Sequence, residues 1–180
     1  MVELARVGFP GLTVEGVAKA ANVNRTTIYR RWPSKAALLL AVLGPGLERF
    51  NHDHDPDTGS LDGDLLGLML RIGETAALPD WQAVHRAVGS TSDELQELVD
   101  TVNDRALGAF RRAFDRASAR AEVGPTDDTE MIAHLAFFGV VLWREICKRA
   151  PTEEECRRIL RIVLAPLGSS RLAPPRRSNG

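Results

Sequence analysis

The chain has 180 residues, of which 44% are hydrophobic, enough for one compact core or for a small module joined to a larger one. A net charge of −1 excludes a uniform polycation, yet the charge is unevenly spread. Residues 1–50 carry seven Lys/Arg against three acids, and the remainder carries sixteen basic and twenty-one acidic residues. A basic head on an acidic body implies that the head alone meets an anionic partner. Cys147 and Cys156 lack metal-type spacing and are too few for a disulfide framework, so both read as buried reduced thiols of a cytosolic protein. Met1 to Pro10 includes Glu3 and Arg6 and does not read as a signal peptide. The longest nearly apolar run, Leu135 to Trp143, is far short of the roughly 20 residues of a membrane span.

Helical patterns dominate, with no alternating strand pattern and no internal repeat. Met1 to Val7 reads as the end of a helix stopped by Gly8 and Pro10. Thr13 is an N-cap for a short helix to Ala20 or Ala21, followed by Asn22, a residue that tolerates a left-handed turn. Asn24 caps the next helix, Arg25 to Arg31, which Pro33 ends. Ser34 caps a third, from Lys35 to about Phe50, expected to kink or shorten at Gly44, Pro45 and Gly46.

Asn51 to Gly59 is a polar loop. From Ser60, the residues Leu61, Leu65, Leu68, Met69, Ile72 and Ala76 recur at helical spacing. Pro79 and Asp80 begin a short helix ending near Gly89. Thr91-Ser92-Asp93-Glu94 reads as a capping box, and the apolar stripe from Leu95 to Ala117 predicts a helix of about seven turns, closed by Gly124 and Pro125. Thr126 is expected to open a helix to about Ala150, apolar nearly all round between Met131 and Trp143. Thr152-x-x-Glu155 is a second capping box, before a helix carrying Cys156, Ile159, Leu160, Val163 and Leu167. Residues 169–180 read as a disordered tail. The expected fold class is therefore all-α: a head at 1–47, a larger helical domain at 48–168, and the tail.

The stretch from Thr13 to Lys35 carries the functional signal. Val14, Val17, Ala18 and Ala21 are expected on the inner side of the first short helix, Ala18 being small where two helices cross steeply. Val23 is expected to plug the turn, Ile28 to face inward, and Trp32 to close the core. That leaves Arg25, Thr26, Thr27, Tyr29, Arg30 and Arg31 facing out, a donor-rich and cationic surface suited to a DNA major groove. Arg25 can bond guanine O6 and N7 through two N–H groups, and Thr26 and Thr27 offer hydroxyls and a methyl group to bases or phosphates. Tyr29, Arg30 and Lys35 suit phosphates, as do the free N–H groups at the helix start by Thr13. The plain alternative is an exposed helical hairpin with solvated arginines. The small Ala18, the Asn22 turn and the basic head together weigh against it.

Residues 9–43, about a fifth of the chain, resemble the DNA-binding domain of the tetracycline-repressor (TetR) family. The resemblance rests on Thr27-Ile28-Tyr29-x-x-Trp32-x-x-Lys35 and the helix before it. It implies that Thr27, Tyr29 and Lys35 contact DNA, with Arg25, Thr26, Arg30 and Arg31 at variable, specificity-bearing positions. In that family the first helix begins several residues earlier, so a shortened first helix is expected here. The leading reading is a ligand-responsive regulator, a repressor released from a near-palindromic operator by a small hydrophobic effector. The alternative is a small-molecule-binding dimer that has lost DNA binding through a truncated first helix.

The resemblance also implies a homodimer through the last two long helices. The helix after Thr126 supports this on its own, being apolar on too many sides for one core. Ala136, Gly139, Trp143, Ile159 and Val163 are the interface candidates, against the alternative of a buried central helix in a monomer. A ligand cavity is implied as well, with Met69, Trp81, His85, Val102, Phe110, Phe114 and Phe138 as lining candidates, although residues of these types at helical spacing are more often plain core. Asn51-His52-Asp53-His54-Asp55 holds metal-ligand types but reads as a solvated loop. His134, the lone polar group in its apolar stretch, reads as a satisfied core or interface histidine. No catalytic motif, cofactor or metal site is expected, and the location implied is the cytoplasm, on the nucleoid.

Overall fold

The computed structural model describes residues 3, 6–7, 11–82, 93–124 and 128–169. Its elements are α1 (Val14–Ala20), α2 (Arg25–Arg31), α3 (Lys35–Leu47), two 3₁₀ turns (Glu48–Phe50 and His52–His54), α4 (Leu61–Ala77), α5 (Asp93–Ala119), α6 (Thr129–Cys147) and α7 (Glu153–Ser169). The all-α reading holds, and no strand occurs among the described residues. The expected capping residues Thr91 and Ser92, the candidate His85 and the tail beyond Ser169 lie outside the described residues.

The chain forms two compact units. One comprises residues 1–54 and 74–108, and the other 55–73 and 109–180.

In the first unit Glu3, Arg6, Val7 and Gly11 are helical, so helical backbone recurs beyond Gly8 and Pro10, where the sequence pattern placed a stop. Leu12, Leu39, Leu43, Leu47 and Val102 form one buried cluster, with Val7, Val17, Leu40 and Trp81 packed against it. The N-terminus of α3 is capped by Ser34, whose Oγ accepts from the Ala37 N–H at 3.1 Å. Pro45 lies inside this helix, which runs two residues past it before tightening into a 3₁₀ turn. Gly46 allows that passage: a β-carbon there would stand 3.3 Å from Thr75 Cγ2.

In the second unit the expected α4 stripe is buried throughout, with Leu65, Leu68 and Met69 wholly enclosed. Phe110, Ala113, Phe114 and Ala117 of α5 are buried likewise. The start of α4 is held by groups distant in sequence. The Leu61 N–H donates to both carboxylate oxygens of Glu122, at 2.8 and 2.9 Å. Asp64 is fully buried and accepts from the Thr58 N–H at 2.6 Å and the Thr58 hydroxyl at 2.8 Å. Arg112 and Arg116, one helical turn apart on α5, and Arg120 just past its end face these acids. Arg112 grips Asp55 through two N–H groups at 2.6 and 3.1 Å. Arg116 and Arg120 approach Asp64 at 3.4 and 3.5 Å. The loop segment 56–58 lies directly on α4, where Gly63 and Gly67 leave room for it. A β-carbon at Gly63 would stand 2.2 Å from Thr58 Oγ1, and one at Gly67 2.9 Å from Pro56 Cγ.

The structure also departs from the sequence expectations at Asp55, at the ends of α5 and α6, and at Cys147. Asp55 is not part of a solvated loop, since its side chain is 3% exposed against Arg112. Helix α5 ends before Gly124, at a left-handed Ala121 (φ 55°) whose following N–H, from Glu122, returns to the Ala117 carbonyl at 2.9 Å. Helix α6 begins at Thr129 after Asp128, and it stops at a left-handed Lys148 (φ 56°) rather than reaching Ala150. Cys156 is buried, which pushes its thiol up to about 11, whereas Cys147 is exposed, contrary to the expectation for both.

The second capping box is present as expected. The Thr152 N–H donates to Glu155 at 2.7 Å, and the Glu155 N–H donates to Thr152 Oγ1 at 3.3 Å. Arg149 adds two N–H bonds to the same carboxylate, both at 2.7 Å. The Arg149 guanidinium and the Thr152 N–H hold Glu155 down to about 2, from an ordinary 4.5. A depressed acid stabilises the folded state above its unfolded pKa, and that contribution fades as pH falls through the folded value. Urea midpoints of the native chain should therefore drop between pH 4.5 and about 2 more steeply than those of Glu155→Gln. Equal slopes in the two proteins would refute the assignment.

Candidate nucleic-acid interface

Helices α1 and α2 pack on each other around three buried residues, Val14, Ala18 and Ile28, with Val17, Trp32 and Leu38 against them. The reversal between the helices is a closed main-chain device. Asn22 takes the left-handed conformation (φ 53°), its N–H donating to Lys19 O at 3.2 Å and the Val23 N–H to Ala18 O at 2.9 Å. These are the paired bonds of a Schellman turn, and they satisfy carbonyls that the end of α1 would otherwise leave open.

The main-chain closure explains two corrections. Val23 does not plug the turn: it is 45% exposed, because main-chain bonds seal the reversal without its side chain. Ala21, expected on the inner side, is exposed after the last turn of α1.

Both short helices carry the caps that the sequence indicates. Thr13 Oγ1 accepts from the Gly16 N–H at 3.0 Å. Asn24 Oδ1 accepts from the Thr26 N–H at 2.9 Å. The Trp32 N–H closes α2 on the Ile28 carbonyl at 2.8 Å. Caps matter here because seven residues are too few to hold a helix unaided.

Ile28 is the one buried residue of α2. Arg25, Thr26, Thr27, Tyr29, Arg30 and Arg31 are all exposed, as is Thr13, while Lys35 at the start of α3 is half-buried. The structure thus presents the six outward α2 candidates on one short helix. Arg31 also lies over the Trp32 ring, 5.2 Å from its centroid, a cation–π contact that ties it to the helix end. One contact was not anticipated from the sequence. The Tyr29 hydroxyl donates to Glu15 of α1 at 3.3 Å. Its signal, an acid and the sole tyrosine fourteen positions apart, has no fixed meaning until the crossing of α1 and α2 is known.

The remaining candidates are dispersed. Met69, Phe110 and Phe114 are buried in the second unit, whereas Trp81 and Val102 belong to the core cluster of the first. Phe138 does not line an interior: it is 38% exposed, packed edge-on against Phe137 at 4.9 Å between centroids. Ala136 is fully enclosed by its own chain, so it has no surface to offer an interface. Gly139 faces Ile159 within the chain, where a β-carbon would stand 3.4 Å from Ile159 Cγ2. Trp143, Ile159 and Val163 are half-buried, and Arg149 lies over the Trp143 ring at 5.8 Å. The open apolar surface is a different stripe of α6, formed by Met131, Leu135, Phe138, Leu142 and Ile146, with Ile162 exposed on α7. His134 is half-buried beside this stripe, its Nδ1 2.7 Å from the Glu130 carbonyl. No helix among the described residues is long and apolar enough to cross a membrane, and none of their His, Cys, Asp and Glu side chains cluster as a metal site would require.

A capped helix pair with a tight left-handed turn and a cationic second helix defines a helix-turn-helix DNA-binding protein. The family model described as bacterial regulatory proteins, tetR family, matches residues 1–42. That of the tetracyclin repressor-like C-terminal domain matches residues 55–163. A DNA-binding transcriptional repressor TetR of Mycobacteroides abscessus is 33% identical over 136 residues, covering 74% of this chain and 71% of its own. An uncharacterized HTH-type transcriptional regulator of Mycobacterium bovis is 45% identical over 166 residues, covering 88% and 79%. Among solved structures, Salmonella enterica GusR superposes with a TM-score of 0.68 at 20% identity, over 92% of this chain and 89% of that one. Bacillus subtilis FadR in complex with stearoyl-CoA does so with a TM-score of 0.63 at 17% identity, over 92% of each chain. The chain belongs to the TetR family of transcriptional regulators, which are DNA-binding transcription factors rather than enzymes.

Because Asn22 needs a positive φ, a β-branched residue there should strain the turn by about 1–3 kcal/mol. Asn22→Val should lose DNA binding in a gel shift at temperatures where circular dichroism still shows the helices of the second unit. Full binding by Asn22→Val up to the melting temperature of the native chain would contradict the role given to this turn.

Proposed function

We propose that this regulator is a repressor that binds a near-palindromic operator as a homodimer and is released by a small hydrophobic effector. Its DNA-binding part is taken as residues 1–47 and its effector and dimer part as 48–168. The observation that carries the DNA-binding half is the economy of α2, where burying Ile28 alone leaves six donor-rich or aromatic side chains for a groove. Arg25 at the start of α2 is the base reader, able to bond guanine O6 and N7 together, with Thr26 and Thr27 beside it. Tyr29, Arg30 and Lys35, with the N–H groups behind Thr13, serve the phosphates, and Arg31 holds a variable, specificity-bearing position.

The apolar stripe on α6 supports the homodimer. Met131, Leu135, Phe138, Leu142 and Ile146 recur at helical spacing, and all are exposed on a single chain. A second copy related by twofold symmetry would cover them and Ile162 together, which also sets two α2 helices for two half-sites. The effector is read as hydrophobic because Met69, Phe110 and Phe114 are apolar residues buried in the second unit. FadR, a structural neighbour, was solved with stearoyl-CoA. Release follows if the effector favours a conformation whose two heads no longer match the half-site spacing.

A gel shift on DNA upstream of the protein's own gene tests the reading, and failure to find saturable, sequence-dependent binding by the full-length chain would end it. Arg25→Ala should relax base preference at one position, costing about 1–3 kcal/mol there. Lys35→Ala should weaken all sequences alike and lower the salt slope by about 1. For the dimer, Leu135→Glu should sediment as a monomer with unchanged helix content and bind the operator far more weakly. A dimeric Leu135→Glu protein would move the interface elsewhere.

A further inference from the structure

Glu15 is out of place on a surface meant for phosphates. It projects from the first turn of α1, directly after Thr13 and Val14, and it is exposed. The Tyr29 hydroxyl, the proposed phosphate donor, already donates to Glu15 Oε1 at 3.3 Å. We propose that Glu15 is an anionic brake on DNA binding: it holds the Tyr29 hydroxyl away from the phosphate and repels the phosphate that would replace it. This rests on the reading of Tyr29 as a phosphate anchor.

The physical argument has two parts. The first is competition. A phenol has a single proton to donate, so the hydroxyl cannot serve Glu15 and a phosphate together. The second is repulsion. A phosphate within hydrogen-bond reach of the Tyr29 hydroxyl would lie within a few ångströms of the Glu15 carboxylate, because the hydroxyl is itself 3.3 Å from it. Both effects act on the sugar–phosphate backbone and therefore on every sequence alike. The brake lowers non-specific and specific affinity together, so that occupancy of any site depends on the base contacts made from Arg25 to Thr27.

The chain supplies its own probe, since Tyr29 is its only tyrosine and the tryptophans do not titrate. The phenol's surroundings are mixed. Partial burial and the Glu15 carboxylate on α1 raise its pKa, while Arg25 on its own helix lowers it. Removing the Glu15 charge should therefore shift the ultraviolet phenolate titration of the full-length protein to lower pH.

The experiment compares wild type, Glu15→Gln, Tyr29→Phe and the double variant, using fluorescence anisotropy with a 30-base-pair duplex of random sequence and the phenolate titration where Tyr29 is present. Glu15→Gln should bind the duplex about three- to tenfold tighter, the order of one like-charge repulsion at about 4 Å screened by water, as suits two exposed side chains. It should also titrate at lower pH than wild type. In the Glu15→Gln background Tyr29→Phe should weaken binding, so the gain from Glu15→Gln should shrink when the Tyr29 hydroxyl is absent. If Glu15→Gln binds no tighter, or its phenol titrates where wild type does, the brake is refuted. If the double variant binds as well as Glu15→Gln alone, the anchor reading has failed instead. A stabilised head alone could raise affinity, but it would not lower the phenol midpoint and would not need the Tyr29 hydroxyl.

Discussion

One buried side chain fixes the second helix of the helix-turn-helix. Helix α2 has seven residues and buries only Ile28, against Val14 and Ala18. A helix that short has no stability of its own, because the cost of nucleating it is spread over too few hydrogen bonds. Its orientation is therefore borrowed from one contact, two caps and the Asn22 turn. The arrangement leaves nearly all of its surface exposed, and it makes the small size of Ala18 a condition of the packing.

Much of this was legible in the sequence because the signals are local. Thr13, Asn24, Ser34 and Thr152 act as caps where their positions indicated, since a cap is decided by a side chain and an N–H two or three residues away. Asn22 was legible for the same reason. The buried stripe from Leu61 to Ala76 followed from periodicity alone. Val23, Asp55 and Ala136 were misread for a common reason: each depends on a partner that the sequence does not locate. Val23 is left out because main-chain bonds already close its turn, Asp55 is drawn in by Arg112, and Ala136 is covered by its own chain. Ala121 and Lys148 show a further limit, since left-handed helix ends are usually sought at glycine or asparagine.

The two faces of α6 show why apolar content was informative and side assignment was not. Ile132, Ala133, Ala136, Phe137 and Val140 are buried, and Met131, Leu135, Phe138, Leu142 and Ile146 are exposed. A helix apolar nearly all round announces two apolar partners, yet composition cannot say which stripe meets the chain's own core. The electrostatics are arranged differently in the two units. In the second, arginines of α5 neutralise buried or half-buried acids at close range. On α2 the cationic side chains are exposed, and only Arg31 is stacked on an aromatic ring there.

Gly63 and Gly67 constrain how this lineage can change. Thr58 Oγ1 occupies the space that a β-carbon at Gly63 would need, and it is bonded to the buried Asp64, so rotating it away sacrifices that bond. Replacement of Gly63 is consequently closed while Thr58 remains, and loss of the Thr58 hydroxyl leaves Asp64 short of a donor. Thr58, Gly63 and Asp64 are thus coupled, so the cost of changing one depends on the residues at the other two. This coupling is a property of local packing in the second unit.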